Sequence, residues 1–166
     1  MIAYTGSLDS PFGPMVCAVD HQGAVIVVEF TTEQSREEIL ATLEEEGYEL
    51  EESEERTADV RRQLRDYLSG ERRDFHLPLA MRGTPFQREV WQMLRSIPFG
   101  ETRTYRQISE SISRPRATRA VGAASGANRI AVVIPCHRVV GTDGSLTGYA
   151  GGIEIKRWLL RHEKTQ

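Results

Sequence analysis

Cys136 and His137 stand side by side in the stretch Ile134-Pro135-Cys136-His137-Arg138-Val139-Val140 of a 166-residue chain. The attacking form of cysteine is the thiolate, and an adjacent imidazole is a group that can draw off the thiol proton. The apolar, β-branched residues 130–134 have the length of a buried strand, and Pro135 would end it. Such a strand would aim the thiol from a rigid support. Cysteine is equally a common core residue, so the pair alone leaves packing and nucleophilic chemistry both open.

The rest of the composition narrows the setting. Cys17 is the second cysteine, it forms no CxxC with Cys136, and His21, His76 and His162 are scattered, so neither a disulfide framework nor a metal site is expected. No run of 18 apolar residues occurs, which predicts no membrane span and a cytoplasmic protein. The net charge of −3 averages two unlike halves. Residues 1–81 carry 7 Arg and Lys against 18 Asp and Glu, a balance of −11. Residues 82–166 carry 14 against 6, a balance of +8, and 12 of the 14 are arginine. A cationic half points to a polyanionic partner, with mutual pairing of the halves as the alternative.

The elements that must position Cys136 follow from periodicity and turn chemistry. Residues 2–7, 15–19 and 24–30 read as strands of an antiparallel meander, separated by Asp, Gly and Pro turns. Residues 32–46 and 57–69 read as helices, the first with Ile39, Leu40 and Leu43 inward, the second with Val60, Leu64, Tyr67 and Leu68. Composition turns from acidic to basic near residue 80, which divides the chain into domains 1–80 and 81–166. In the second, Thr84-Pro85-Phe86-Gln87 and Thr104/Gln107 are capping boxes that start two helices. The first should bury Phe86, Val90, Leu94 and Ile97, with Trp91 beside that stripe; the second should place Tyr105, Ile108 and Ile112 on one face. A short connection through Ser113-Arg114-Pro115-Arg116 then leads to a helix over 117–126, the spacing of a helix-turn-helix. That helix is nearly all small residues around Arg119, so another surface must approach its backbone: a neighbouring helix or a nucleic acid. Asn128 suits a left-handed C-terminal position and local backbone bonding. Gly148-Tyr149-Ala150-Gly151-Gly152 is a loop that a ligand could approach, and residues 153–162 form a last helix with Ile155, Trp158 and Leu159 inward and Glu163 at its end.

These motifs, taken in order, resemble the O6-alkylguanine-DNA alkyltransferases, also called methylated-DNA:protein-cysteine methyltransferases. The likeness rests on Thr84-Pro85-Phe86-Gln87, Val90-Trp91, Ile97-Pro98-Phe99-Gly100, Tyr105, Arg119-Ala120-Val121-Gly122, Asn128, Pro135-Cys136-His137-Arg138-Val139 and Gly148-Tyr149-Ala150-Gly151-Gly152. It spans residues 83–163, with a weaker match through Leu8-Asp9-Ser10-Pro11 and Gly13. The fold implied is α+β: a small ribonuclease H-like α/β domain followed by a mostly helical domain with a helix-turn-helix and the active-site cysteine.

The resemblance implies that Cys136 accepts the alkyl group of O6-alkylguanine, with O4-alkylthymine as a further substrate, in one irreversible turnover. His137 would take the thiol proton through a water, and Glu163 would hold and polarise His137. Tyr105 would donate to the guanine ring, Asn128 would brace the turn, backbone groups of Val139 and Ala150 would read the base edge, and Tyr149 would line the pocket. Arg119 would fill the gap left by the flipped nucleotide, on a helix that enters the minor groove through Thr118, Ala120 and Gly122, with Arg106 nearby. The implied partner is double-stranded DNA carrying O6-alkylguanine, met by a monomer able to cluster on DNA, with no cofactor, no metal and no membrane. Arg106, Ser113, Ser125 and Arg129 depart from the family's commoner glycine, glycine, asparagine and proline. Two other classes remain as competitors: a lesion-binding module without transfer, against which Cys136 itself argues, and a Cys-His hydrolase, which would turn over.

Overall fold

The computed structural model describes residues 1–165. The chain divides into two compact units, Met1–Met81 and the remainder from Arg82.

The first unit is built on a sheet in the order β3-β2-β1-β4. β1 (Ile2–Ser10), β2 (Gly13–Asp20) and β3 (Val25–Phe30) form the antiparallel meander. Asp20 makes the second turn by accepting from the N–H groups of Gln22 and Ala24 at 2.9 and 3.0 Å. β2 is buried from Met15 through Val19, so the central strand reads as a continuous apolar run with no alternation. The sheet is mixed, because β4 (Glu49–Glu52) returns through a helical crossover and pairs parallel to β1. That crossover is α1 (Arg36–Glu45), which starts at a Ser35/Glu38 capping box and sets Ile39 and Leu43 on Ala3, Val16, Ala18, Ile26 and Val27. Leu40 is only partly buried. α2 (Ala58–Leu68) buries Val60, Gln63, Leu64 and Tyr67 and packs against β1. A Cβ at Gly6 would stand 2.3 Å from the Thr57 hydroxyl, so this close approach needs glycine. The extended residues beyond α2 cover the free edge of β3: Val25 N–H donates to Pro78 O at 2.8 Å and Ala80 N–H to Val25 O at 2.9 Å.

The second unit is mostly helical. Both predicted capping boxes are present, at Thr84/Gln87 and Thr104/Gln107, and start α3 (Pro85–Arg95) and α4 (Tyr105–Ser111). α5 (Thr118–Gly126) packs against both. Val90, Trp91, Leu94, Ile108, Val121 and Ala124 form the shared core, while Phe86 and Ile112 are half-buried. α4, its short connection and α5 make the helix-turn-helix. Ser113 turns that connection at φ 61°, a left-handed position where glycine would be unstrained. A two-stranded parallel pair, β5 (Arg103–Thr104) and β6 (Val139–Val140), ties the start of α4 to the stretch after Cys136. α6 (Ile153–Lys164) closes the unit with Ile155, Lys156, Leu159 and Glu163 buried and Trp158 half-buried, stacked on His162. Among the described residues no helix is long and apolar enough to cross a membrane.

The chain is thus α+β. One expected element is absent: residues 130–134 are a turn and not a strand. Val133 N–H donates to Ala131 O at 2.8 Å across Val132, whose φ is 71°. This is a γ-turn of the positive-φ kind, rare for a β-branched residue. Ile134 N–H then closes the loop onto Ile130 O at 3.0 Å. Five apolar residues satisfy the strand pattern equally well, but these find their backbone partners within the loop and on Asn128.

Candidate active site

Asn128 is the organiser of that turn. It follows α5 without the left-handed backbone expected of it, since Ser113 and Val132 are the non-glycine residues with positive φ. Its side chain takes over the role. Oδ1 accepts from Ile130 N–H at 2.9 Å, and Nδ2 donates to Ile134 O at 3.0 Å and to Cys136 Sγ at 3.3 Å. One buried amide therefore fixes both ends of the loop and points a donor at sulfur.

Pro135, at φ −80° and ψ 62°, makes an inverse γ-turn in which Cys136 N–H donates to Ile134 O at 2.8 Å. A 3-10 turn, Cys136–Arg138, follows at once. It sends Cys136 and His137 to different partners. Burial raises the Cys136 thiol above its ordinary pKa, while the Asn128 hydrogen bond and the charge of Lys156 work against that rise.

Behind the thiol lies a charged cluster sealed from solvent. His137 Nε2 is 2.7 Å from Glu163 Oε2. Arg138 grips the same carboxylate with two prongs, Nε to Oε1 and Nη2 to Oε2, both at 2.9 Å. Its Nη1 donates to Ile97 O at 2.7 Å, and Gly100 N–H reaches Glu163 Oε1 at 3.3 Å. Burial pushes the Glu163 carboxyl up, but the hydrogen bonds and charge of His137 and Arg138 overrule it and hold the group well below the carboxylate range. An ionised carboxylate only accepts, so His137 carries its proton on Nε2 and leaves Nδ1 with a lone pair. Nδ1 is buried without a protein partner. Burial also lowers the imidazole pKa against the opposing pull of Glu163, so His137 is neutral at pH 7.

Cys136 opens on a cavity of about 500 Å³ whose lining includes Tyr105, Thr118, Arg119, Gly122, Thr147, Tyr149 and Ala150. That size is in the range of small-ligand sites. The Tyr105 hydroxyl donates to Thr147 O at 3.3 Å. A methyl added at Gly122 would touch the Tyr105 ring at 3.9 Å, so the small residue of α5 keeps this wall of the cavity clear. Arg119 is exposed at the rim. The structure brings Cys136, Tyr105, Thr118, Arg119, Gly122, Tyr149 and Ala150 around one cavity and puts Asn128, His137 and Glu163 behind the thiol. Val139, Ala120 and Arg106 do not line it. Val139 donates its N–H to Cys136 O and pairs in β6, and Arg106 is exposed and bonded to Glu110 at 3.1 Å. Two residues escaped sequence reasoning, Arg138 and Lys156. The sign for Arg138 was its place beside His137 in the same short turn; for Lys156 it was one lysine directly after the inward Ile155.

A buried cysteine with an Asn donor and a His–Glu pair, opening beside a helix-turn-helix, is an arrangement suited to cysteine-based transfer on a nucleic-acid-binding scaffold. The comparisons give that class its family. Residues 85–165 match the DNA binding domain of 6-O-methylguanine DNA methyltransferase, and residues 3–81 match its ribonuclease-like domain. A methylated-DNA–protein-cysteine methyltransferase of Methanosarcina barkeri is 45% identical over 162 residues, 97% of each chain. One from Salmonella typhimurium is 46% identical over 157 residues, 93% of this chain and 91% of the relative. The crystal structure of Mycobacterium tuberculosis OGT in complex with DNA superposes with a TM-score of 0.83 at 38% identity, covering 98% of this chain and 93% of that one. The chain belongs to the methylated-DNA–protein-cysteine methyltransferase family. Its activity is DNA repair by transfer of an alkyl group from DNA to a protein cysteine.

Proposed function

We propose that Cys136 is the acceptor and that the substrate is O6-alkylguanine in duplex DNA, with O4-alkylthymine as a second substrate. The observation that carries this reading is that Cys136 lines the cavity framed by Tyr105, Arg119 and the Thr147–Ala150 loop. A base inside the stack cannot reach such a thiol, so the damaged nucleotide turns out of the helix, at a cost of a few kcal/mol. Arg119, exposed at the rim, fills the gap, while Thr118, Ala120 and Gly122 let the DNA backbone come close. Arg106 adds a phosphate contact.

In the pocket Tyr149 packs on the base, and the backbone of Ala150 reads its edge. His137 Nδ1 takes the thiol proton through a bridging water, and Glu163, already ionised, stabilises the imidazolium that results. The sulfur attacks the alkyl carbon in line: the S–C bond forms, the C–O bond breaks, and the electron pair stays on the guanine oxygen. Tyr105 donates to the ring and stabilises the leaving anion. The product is a thioether, which cellular thiols do not reverse, so each molecule acts once. The protein works as a monomer able to cluster on duplex, in keeping with Met1 being the exposed large hydrophobic residue among those described. A reactive free thiol suits a reducing cytoplasm.

Intact-mass analysis after incubation with O6-methylguanine duplex tests the reading. One methyl in place of one hydrogen, on the peptide containing Cys136 and on one equivalent of protein, is the expected result. No gain, transfer by Cys136→Ala, or turnover beyond one equivalent would overturn it.

A further inference from the structure

A serine inside a helix either returns its hydroxyl to a carbonyl about one turn back or points it to water. α4 shows the first habit twice: Ser109 Oγ donates to Arg106 O and Ser111 Oγ to Gln107 O, both at 2.8 Å. Ser125 of α5 does neither. It is 5% exposed, its hydroxyl makes no hydrogen bond among the described residues, and it lines the Cys136 cavity. Two other hydroxyls at that cavity are engaged, Thr118 with Ser109 at 3.2 Å and Tyr105 with Thr147 O at 3.3 Å. Thr118, Gly122 and Ser125 follow one another at helical spacing and share the cavity face of α5. The helix starts at the rim, where Arg119 is exposed, and ends towards the thiol. There Asn128 donates its backbone N–H to Ser125 O at 3.2 Å and its amide to Cys136 Sγ at 3.3 Å. An enclosed hydroxyl left without a protein partner is a contact kept for what fills the cavity.

We propose that Ser125 is a specificity-determining residue: its hydroxyl donates to N7 of the flipped O6-alkylguanine, a bond that O4-alkylthymine cannot accept. The inference rests on the reading that Cys136 is the acceptor and that the cavity takes the damaged base. When the alkyl carbon is presented to Sγ, the ring positions flanking the alkylated oxygen come to the thiol end of the cavity. One flank is alike in both lesions, a ring nitrogen with a lone pair, N1 in the purine and N3 in the pyrimidine. The other flank differs. It is the acceptor N7 in guanine and the C5-methyl in thymine, the groups that also tell these bases apart in the major groove. Tyr105 is assigned to the ring nitrogens that take up charge as the C–O bond breaks, which leaves N7 for Ser125. Against N7 the hydroxyl is a donor with a partner, whereas against a methyl it is enclosed with nothing to bond. A site with a polar group of this kind discriminates against the analogue that leaves it unpaired.

The test compares wild type and Ser125→Ala in single-turnover transfer from three duplexes, carrying O6-methylguanine, 7-deaza-O6-methylguanine and O4-methylthymine. Alanine is the better helix former, so the variant should fold. Ser125→Ala should slow transfer from O6-methylguanine roughly fivefold, the worth of one neutral hydrogen bond, and leave O4-methylthymine at the wild-type rate. The 7-deaza lesion probes the same bond without touching the protein: it should lose that factor in wild type and nothing further in Ser125→Ala. An unchanged rate on O6-methylguanine, an equal loss on O4-methylthymine, or a loss that persists on the 7-deaza lesion overturns the proposal. Affinity for the two guanine duplexes is then measured with Cys136→Ala and with Cys136→Ala/Ser125→Ala, which separates binding from transfer. Removing N7 should weaken binding only where Ser125 is present, and equal weakening in both proteins, or none, overturns the contact. A wild type that gains no methyl, while the effect of N7 on affinity still depends on Ser125, would sink the transfer reading and leave the Ser125 contact standing.

Discussion

The molecule holds two buried cysteines, and the surroundings of each decide what burial does to it. Cys17 sits in β2 between Gly6 of β1 and Val28 of β3, and burial pushes its thiol up to about 12, with only partial relief from the charge of Arg61 and a Gly6 backbone bond. Cys136 is nearly as enclosed, yet it meets an amide donor, a lysine charge and a turn that ends in a His–Glu–Arg cluster. A strand in mid-sheet spends its polar groups on its neighbours, whereas a turn leaves them free to be aimed. On the proposed reading, reactivity belongs to the turn and not to the cysteine.

The charged cluster behind Cys136 should give the largest effect. Glu163→Gln leaves Arg138 buried without its counter-charge and should cost about 3–5 kcal/mol in urea unfolding at pH 7. The pH sign follows from the depressed carboxyl of Glu163. Its stabilisation is complete above the unfolded value of about 4.3 and is lost as pH falls below it, a loss the glutamine variant should lack. His137, kept neutral by burial, adds a loss that starts higher, once the unfolded imidazole protonates below about pH 6.5. Asn128→Ala comes next. It strands the Ile130 N–H and Ile134 O and should cost about 2–4 kcal/mol, while raising the pH midpoint of Cys136 alkylation and so making it more like Cys17. The smallest change is Cys17→Ala, a loss of about 1 kcal/mol with transfer unaltered. Peptide mapping after brief iodoacetamide treatment of the native protein should find Cys136 labelled ahead of Cys17; equal labelling would end the distinction between the two sites.

Local chemistry was legible in the residues and tertiary chemistry was not. The capping boxes at Thr84 and Thr104 depend on a side chain three residues away, and both helices start where that logic puts them. The strands of the first unit follow from apolar runs bounded by turn residues. The turn at 130–134 misled because its conformation is imposed from outside the run, by the Asn128 amide. Arg138 and Lys156 read as ordinary basic residues of a cationic half. Each owes its position to groups distant in the chain, Glu163 and Ile97 for the arginine, the Thr147–Gly148 carbonyls for the lysine. Long-range partners of this kind leave no periodic trace.

Trp91 bears on how the protein would be observed at work. Its indole, nearly enclosed in α3, donates to Ala124 O at 2.8 Å, a carbonyl of the small-residue helix α5. An intrinsic fluorophore is thus bonded to the element proposed to enter the groove. Any tilt of α5 would change the polarity felt by that ring, and its emission would follow docking in real time with no dye attached.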